Sequence, residues 1–193
     1  MKRHKSPKPT NQVRIIGGQF KRRNLRFVDS DGLRPTPDRL RETLFNWLTR
    51  HLQGADVLDV CAGSGVLGFE SLSRGANQAV LIEPIAAQAT LLKEQATLFC
   101  VDDKLTIINT SAERALPTLK KPFDIIFIDP PYALNLWQPL LLLLQKHTLL
   151  HKNSLIYLEG DKPLEELLDT PLAVDVLKSG KFGQVYAYLI NIT

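Results

Sequence analysis

From Asp56 onward the chain alternates continuous apolar runs with helical stretches, and few architectures accept that pattern. The runs "DVLDV", "AVLIE", "LTIIN", "FDIIFID" and "SLIYLEG" lack the polar alternation of a strand with one wet face. Strands apolar on both sides need cover on both faces, and the intervening segments, such as "AAQATLLKEQATLF" and "LWQPLLLLLQKHTLL", are long enough to be the covering helices. The pattern predicts an α/β fold, Rossmann-like, built on a mostly parallel sheet. The final segment, "AVDVLKSGKFGQVYAYLI", breaks the alternation with two strand-like runs around a Gly-containing turn. The sheet is therefore expected to end in an antiparallel hairpin, for seven strands in all.

At 193 residues the chain suits one domain. Residues 1–11 read as a disordered basic tail and 12–193 as a single domain, with 12–53 an extension and 54–193 the core. Charge is uneven: residues 1–41 hold twelve of the 24 Lys and Arg but three of the 20 Asp and Glu, leaving +9 there and −5 in the remainder. From Val13 to Val28 the charges interleave with apolar residues around a Gly-Gly pair, "VRIIGGQFKRRNLRFV", which predicts a curled two-stranded ribbon. A structured basic ribbon beside an acidic body implies a polyanionic partner, most simply nucleic acid. Candidate contacts are Arg14, Lys21, Arg22, Arg23, Arg34, Thr36 and Arg39. Thr36 also reads as the cap of a helix beginning at Pro37. Cys61 and Cys100 form no CxxC pair, the N-terminus lacks a secretory apolar stretch, and the longest leucine run spans only Leu140–Leu144. A cytoplasmic protein with no membrane segment is expected.

The first core strand runs into Gly63-x-Gly65-x-x-Gly68 just before a helix, and the next strand ends at Glu83, 20 residues after Gly63. Glycines there allow a tight turn and a close ligand approach, and a carboxylate at the second strand's end can hold ribose hydroxyls. NAD and S-adenosylmethionine both fit. Asp59 favours the latter, because an acid in that turn attracts an ammonium or sulfonium but opposes a pyrophosphate.

The fourth core strand ends in "DPPY", Asp129 to Tyr132. Proline cannot join a ladder and pushes its predecessor out of the helical region, so the chain leaves the strand as a stiff elbow. Asp129 and the Pro130 carbonyl, held still by Pro131, offer two acceptors for the hydrogens of an exocyclic amine, and Tyr132 offers a stacking face for an extruded base. Either guanine or adenine satisfies this chemistry.

These segments also carry a resemblance. "DPPY" resembles the (Asp/Asn/Ser)-Pro-Pro-(Tyr/Phe) signature of class I amino methyltransferases. "RIIGGQFKRRNL", "LRPTPDRLRETLFNWL" and "DVCAGSGVLGFESLSRGA" closely resemble the RsmD family, from about Val13 to the terminal hairpin. The resemblance implies an S-adenosylmethionine-dependent enzyme that methylates N2 of a guanine in 16S ribosomal RNA, within the small subunit or a late assembly intermediate. It implies cofactor contacts at Asp59, Gly63, Gly65 and Glu83, with Ser111 and Ala112 at the adenine, and a catalytic elbow of Asp129, Pro130, Pro131 and Tyr132. Methylation of adenine N6 in DNA, or of a protein glutamine, is the alternative; glutamine enzymes usually resemble "NPPY". His147 and His151 stand at a helical spacing but lack a third ligand, so no metal is expected, and Cys61 reads as packing. Nothing in the sequence asks for more than a monomer.

Overall fold

The alternating apolar runs become seven strands of one sheet. The computed structural model describes residues 10–28, 36–168 and 172–192. Five parallel strands, β3 (Asp56–Asp59), β4 (Gln78–Ile82), β5 (Leu105–Ile108), β6 (Ile125–Ile128) and β7 (Leu155–Gly160), are followed by the hairpin β8 (Val174–Phe182) and β9 (Val185–Ile192). The order is β5-β4-β3-β6-β7-β9-β8, with β9 antiparallel to both its neighbours. A separate ribbon pairs β1 (Thr10–Arg14) with β2 (Asn24–Val28). The helices are α1 (Asp38–Trp47), α2 (Val66–Ser73), α3 (Ala86–Phe99), α4 (Ala112–Ala115), α5 (Trp137–Lys146) and α6 (Leu164–Leu167).

The strands read as unbroken apolar runs because successive side chains feed two separate cores. Val57, Leu81, Ile125, Phe127 and Tyr157 face one core, and Leu58, Ile82, Ile126, Ile128 and Leu158 face the other. The first core is closed by α1, α2, α3 and the ribbon, whose Val13, Ile15, Phe20, Leu25 and Phe27 are all part of it. The second is closed by α4, α5 and α6. The N-terminal extension is thus built into the core of the sheet.

Specific polar contacts fix the ribbon. The outer edge of β2 is met by α3: Gln88 accepts from the Val28 N–H at 2.8 Å, and Gln95 donates to the Arg26 carbonyl at 2.9 Å. The loop joining β1 and β2 lies on the end of α2, where Phe20 N–H donates to the Ser73 hydroxyl at 2.8 Å and Ile16 N–H to Glu70 at 2.9 Å. Here the Gly-Gly pair is required. A Cβ at Gly18, whose φ is +71°, would fall 1.8 Å from the Ser73 carbonyl oxygen. Glu70 is wholly buried and paired with Arg74 at 2.8 Å and with the buried Arg41 at 3.5 Å.

Two local expectations change. β1 begins at Thr10, so the pairing reaches two residues into the segment read as a tail. Thr36 does not cap α1: Pro37 stands at that position and no side-chain cap bond forms. Thr36 turns inward instead, with 5 % of its surface exposed, and its carbonyl accepts from Arg41 at 3.0 Å.

Candidate active site

β3 and β6 are adjacent, but the connection after β3 leads to β4 on one side and the connection after β6 leads to β7 on the other. This reversal opens a crevice at the carboxyl ends of the two strands, where ligands bind in open α/β sheets. The predicted cofactor residues and the elbow both arrive there.

Asp59 ends β3, 2 % exposed, with the Cys61 N–H facing its carboxylate and its Oδ1 without a hydrogen-bond partner among the described residues. Burial, reinforced by the Glu83 charge, pushes its carboxyl up to about 7. An orphaned buried oxygen costs free energy unless a ligand meets it. A positively charged group answers that demand and a pyrophosphate does not. The turn that follows depends on Gly63 at φ +50° and on Gly65 at φ +76°, which heads α2. Glu83 holds this turn in place, accepting from Gly63 N–H at 2.9 Å and from Ile85 N–H at 2.7 Å. Each of its oxygens keeps a further lone pair for a ligand hydroxyl. Burial raises its pKa, against those two N–H bonds.

Ser111 precedes α4 without capping it, and Ala112 is buried. The nearby amide, Asn109, is committed to the Glu83 and Pro84 carbonyls at 2.8 and 3.1 Å.

The elbow leaves β6 directly. Asp129 is half-buried, and the Pro130 carbonyl accepts no hydrogen bond among the described residues. Pro131 leads into a 3-10 turn, Tyr132–Leu134, closed by Leu134 N–H donating to the Pro131 carbonyl at 2.9 Å. The half-buried Tyr132 ring rests 6.0 Å from the Trp137 ring, at 37° to it. Trp137 is fixed in turn, donating from Nε1 to the Glu159 carbonyl at 2.7 Å.

Glu159 is the residue that sequence reasoning missed. Ile128 of β6 is level with Leu158 of β7, so the next two residues, Asp129 and Glu159, leave neighbouring strands side by side. Glu159 is 3 % exposed and accepts from the Tyr157 hydroxyl at 2.8 Å, while the Tyr132 and Thr36 hydroxyls also favour its ionised form. The Thr36 hydroxyl likewise favours the ionised form of Asp129. Burial, then the Glu159 and Asp59 charges, hold the Asp129 carboxyl well above the usual carboxylate range. Burial likewise raises Glu159 against its three hydroxyls. The available signal was that both apolar runs, "FDIIFID" and "SLIYLEG", carry an acid at their carboxyl ends.

The basic residues divide. Arg23 lays its guanidinium 3.7 Å over the Phe99 ring and donates to the Leu98 carbonyl at 2.9 Å, which ties the ribbon to α3. Arg14 pairs with Asp38 at 3.2 Å on the surface. Lys21, Arg22 and Arg39 are exposed and form no ion pair among the described residues. Arg34 lies outside the described residues. Thr36 belongs with the carboxylates, which removes it from a solvent-facing footprint. A groove of about 500 Å³, lined by Gln12, Arg14, Asn24, Phe27, Thr36 and Asp38, runs between the ribbon and the start of α1.

His151 lies beyond the end of α5 and bonds Asp124 at 3.0 Å, so it does not share a helical face with His147. The Cys61 thiol is pushed up by burial and by surrounding carboxylates, first Asp59 and then Asp129, and stays protonated at neutral pH.

Comparison with known proteins places this arrangement. A family model described as "Conserved hypothetical protein 95" matches residues 13–191. The ribosomal RNA small subunit methyltransferase D of Haemophilus influenzae is 40% identical over 191 residues, covering 96% of each chain. That of Escherichia coli strain K12 is 44% identical over 153 residues, 79% of this chain and 76% of its own. Among solved structures, the Escherichia coli protein yhhF, described as a candidate methyltransferase, superimposes with a TM-score of 0.81 at 37% identity, over 94% of this chain and 98% of that one. A candidate methylase from Haemophilus influenzae does so with a TM-score of 0.76 at 35% identity, over 94% and 99%.

Proposed function

The chain belongs to the ribosomal RNA small subunit methyltransferase D family, and from that membership we propose that it methylates the exocyclic N2 of a guanine in 16S ribosomal RNA. It is an S-adenosylmethionine-dependent methyltransferase of class I fold. When bound, S-adenosylmethionine supplies a methyl group on a positively charged sulfur. Asp59, through its orphaned Oδ1, would hold the cationic end of that cofactor, Glu83 the ribose, and the turn at Gly63 and Gly65 the space between.

The observation that carries the reading is the pair of open acceptors on the stiff elbow, Asp129 and the Pro130 carbonyl, beside Asp59. An exocyclic amine is a poor nucleophile because its lone pair is delocalised into the ring. Hydrogen bonds from both amino hydrogens to Asp129 and Pro130 favour the pyramidal form, whose lone pair points at the methyl carbon. Asp129 then takes the proton that the amine must shed. Guanine suits an ionised carboxylate better than adenine, because its N1–H and N2–H are adjacent donors, whereas adenine sets a bare ring nitrogen beside its amine. Tyr132 stacks the extruded base, worth roughly 1–3 kcal/mol against an extrusion cost of a few. Alignment of amine, methyl carbon and sulfur provides the larger part of the acceleration.

The groove between ribbon and α1, lined by Arg14 and Thr36, would offer the RNA an approach. Lys21, Arg22 and Arg39 are the phosphate contacts in this reading. The partner is 16S ribosomal RNA in the small subunit or a late assembly intermediate, met by a monomer in the cytoplasm. The test is transfer of labelled methyl from S-adenosylmethionine to undermethylated small subunits, naked 16S RNA and duplex DNA in parallel. Incorporation into the subunits above either other acceptor supports the reading; incorporation into duplex DNA alone overturns it.

A further inference from the structure

The two walls of the groove beside α1 are joined by an ion pair. Arg14, at the end of β1, donates from Nη2 to Asp38 Oδ2 at 3.2 Å, and both side chains lie open to solvent. Pairs so exposed contribute little, so this one opens at small cost. Asp38 does not lose its only partner when that happens. Its other oxygen, Oδ1, accepts from Arg41, which is wholly buried and also donates to the Thr36 carbonyl at 3.0 Å. Asp38 also stands in the first turn of α1, where the helix dipole favours a negative charge. Arg14 is therefore the exchangeable member. It has no other acceptor among the described residues, and its guanidinium keeps donors that one carboxylate oxygen does not use. We propose that Arg14 is a phosphate subsite for the RNA strand, and that Asp38 occupies it in the free protein in place of the phosphodiester.

The groove is built for that exchange. It measures about 500 Å³, and Asp38 is the one acid among its lining residues. Val13, Leu25 and Phe27 turn into the core, which leaves Gln12, Arg14 and Asn24 on the outer side of the ribbon. Gln12 and Asn24 share a hydrogen bond at 3.0 Å and add uncharged polar groups beside Arg14. A phosphate that takes Arg14 remains near the Asp38 carboxylate and is repelled by it. Asp38 thus lowers the affinity of any anion held at Arg14 alone. A strand that also engages Lys21, Arg22 and Arg39 recovers the loss through those contacts. In this account Asp38 is a specificity-determining residue, and loosely held polyanions are shed.

The choice of RNA as ligand rests on the function proposed above, but the exchange can be read from binding alone. The assay is fluorescence anisotropy of a labelled single-stranded RNA with the full chain, without cofactor, across a salt series. Asp38→Asn is expected to tighten binding about three- to tenfold at low salt, because the competitor and its repulsion are removed together. Arg14→Ala should weaken binding and reduce the salt slope by about 0.7. In the Arg14→Ala background the Asp38→Asn gain should shrink, since only the repulsion remains to be relieved. Unchanged or weaker binding by folded Asp38→Asn, or an equal gain in both backgrounds, would overturn the proposal. Urea unfolding shows whether each variant is folded, because Asp38 also serves Arg41. The wild type gives a second reading: the guanidinium nitrogen signals of Arg14 in 15N NMR should shift on addition of RNA, and unshifted signals would overturn the subsite. Methyl transfer to RNA without tightening in Asp38→Asn leaves the function and removes the subsite; tightening without transfer does the reverse.

Discussion

Replacing Asp59 with Asn separates what the site needs from what the fold prefers. The Asp59 carboxyl titrates at about 7 in the folded chain, against 3.8 ordinarily. The folded state therefore holds this proton more tightly than the unfolded state. Between about pH 4 and 7 it binds more protons, so stability falls as pH rises through that window, and the loss is complete above 7. The full shift corresponds to about 4 kcal/mol as a ceiling. Asn keeps the shape, can accept from the Cys61 N–H and carries no charge. Asp59→Asn is thus expected to stabilise the cofactor-free protein by about 1–4 kcal/mol at pH 8 and by nothing at pH 4. The same carboxylate must be ionised to hold a cationic cofactor. In the wild type, affinity for S-adenosylmethionine should rise about tenfold from pH 6 to pH 8, with proton release on binding; in Asp59→Asn that dependence should vanish and affinity fall at least tenfold. Urea unfolding at the two pH values and titration calorimetry in buffers of different ionisation enthalpy read both halves. An Asn variant no more stable at pH 8, or equally stabilised at pH 4, would refute the electrostatic account of Asp59.

Asp129→Ala is expected to lower methyl transfer at least a thousandfold while leaving S-adenosylhomocysteine affinity within about threefold; equal loss of both, by calorimetry and single-turnover assay, would remove its acceptor role. Reversing charge at Lys21, Arg22 and Arg39 together should reduce the salt slope of RNA binding by about 2–3, since each phosphate contact contributes about 0.7–0.9, and filter binding across a salt series reads it directly. Arg23→Ala acts on the fold instead: losing the stack on Phe99 should cost about 0.5–2 kcal/mol in urea unfolding with the salt slope nearly unchanged. Tyr132→Phe keeps the stacking ring and removes only the hydroxyl, so it should leave KM for RNA nearly unchanged, whereas Tyr132→Ala should lower kcat and raise KM together.

Much of this site could be read because its parts are local in sequence. "AAQATLLKEQATLF" becomes α3 from first residue to last, with Leu91, Leu92, Ala96 and Phe99 buried. The elbow follows from Pro130 and Pro131 alone, and the neighbouring of β3 and β6 from the switch rule. What could not be read depends on contacts between distant segments. Glu159 looks like any acid after a strand until the register of β6 against β7 sets it beside Asp129. Thr36 before Pro37 has the local form of a helix cap, but its side chain turns inward, where it bears on the Glu159 and Asp129 carboxyls. Arg23 looks like one more free cation in "FKRRN", because the ring beneath it comes from the far end of α3. In each case a neighbour remote in sequence, invisible to local reading, decides where the side chain goes.

The central claim is that this elbow methylates a guanine amine in ribosomal RNA. It is tested most directly by nucleoside mass spectrometry of undermethylated small subunits after a single turnover with wild type and with Asp129→Ala. The account expects N2-methylguanosine at one position with the wild type and none with the variant. N6-methyladenosine, or equal product from Asp129→Ala, would contradict it.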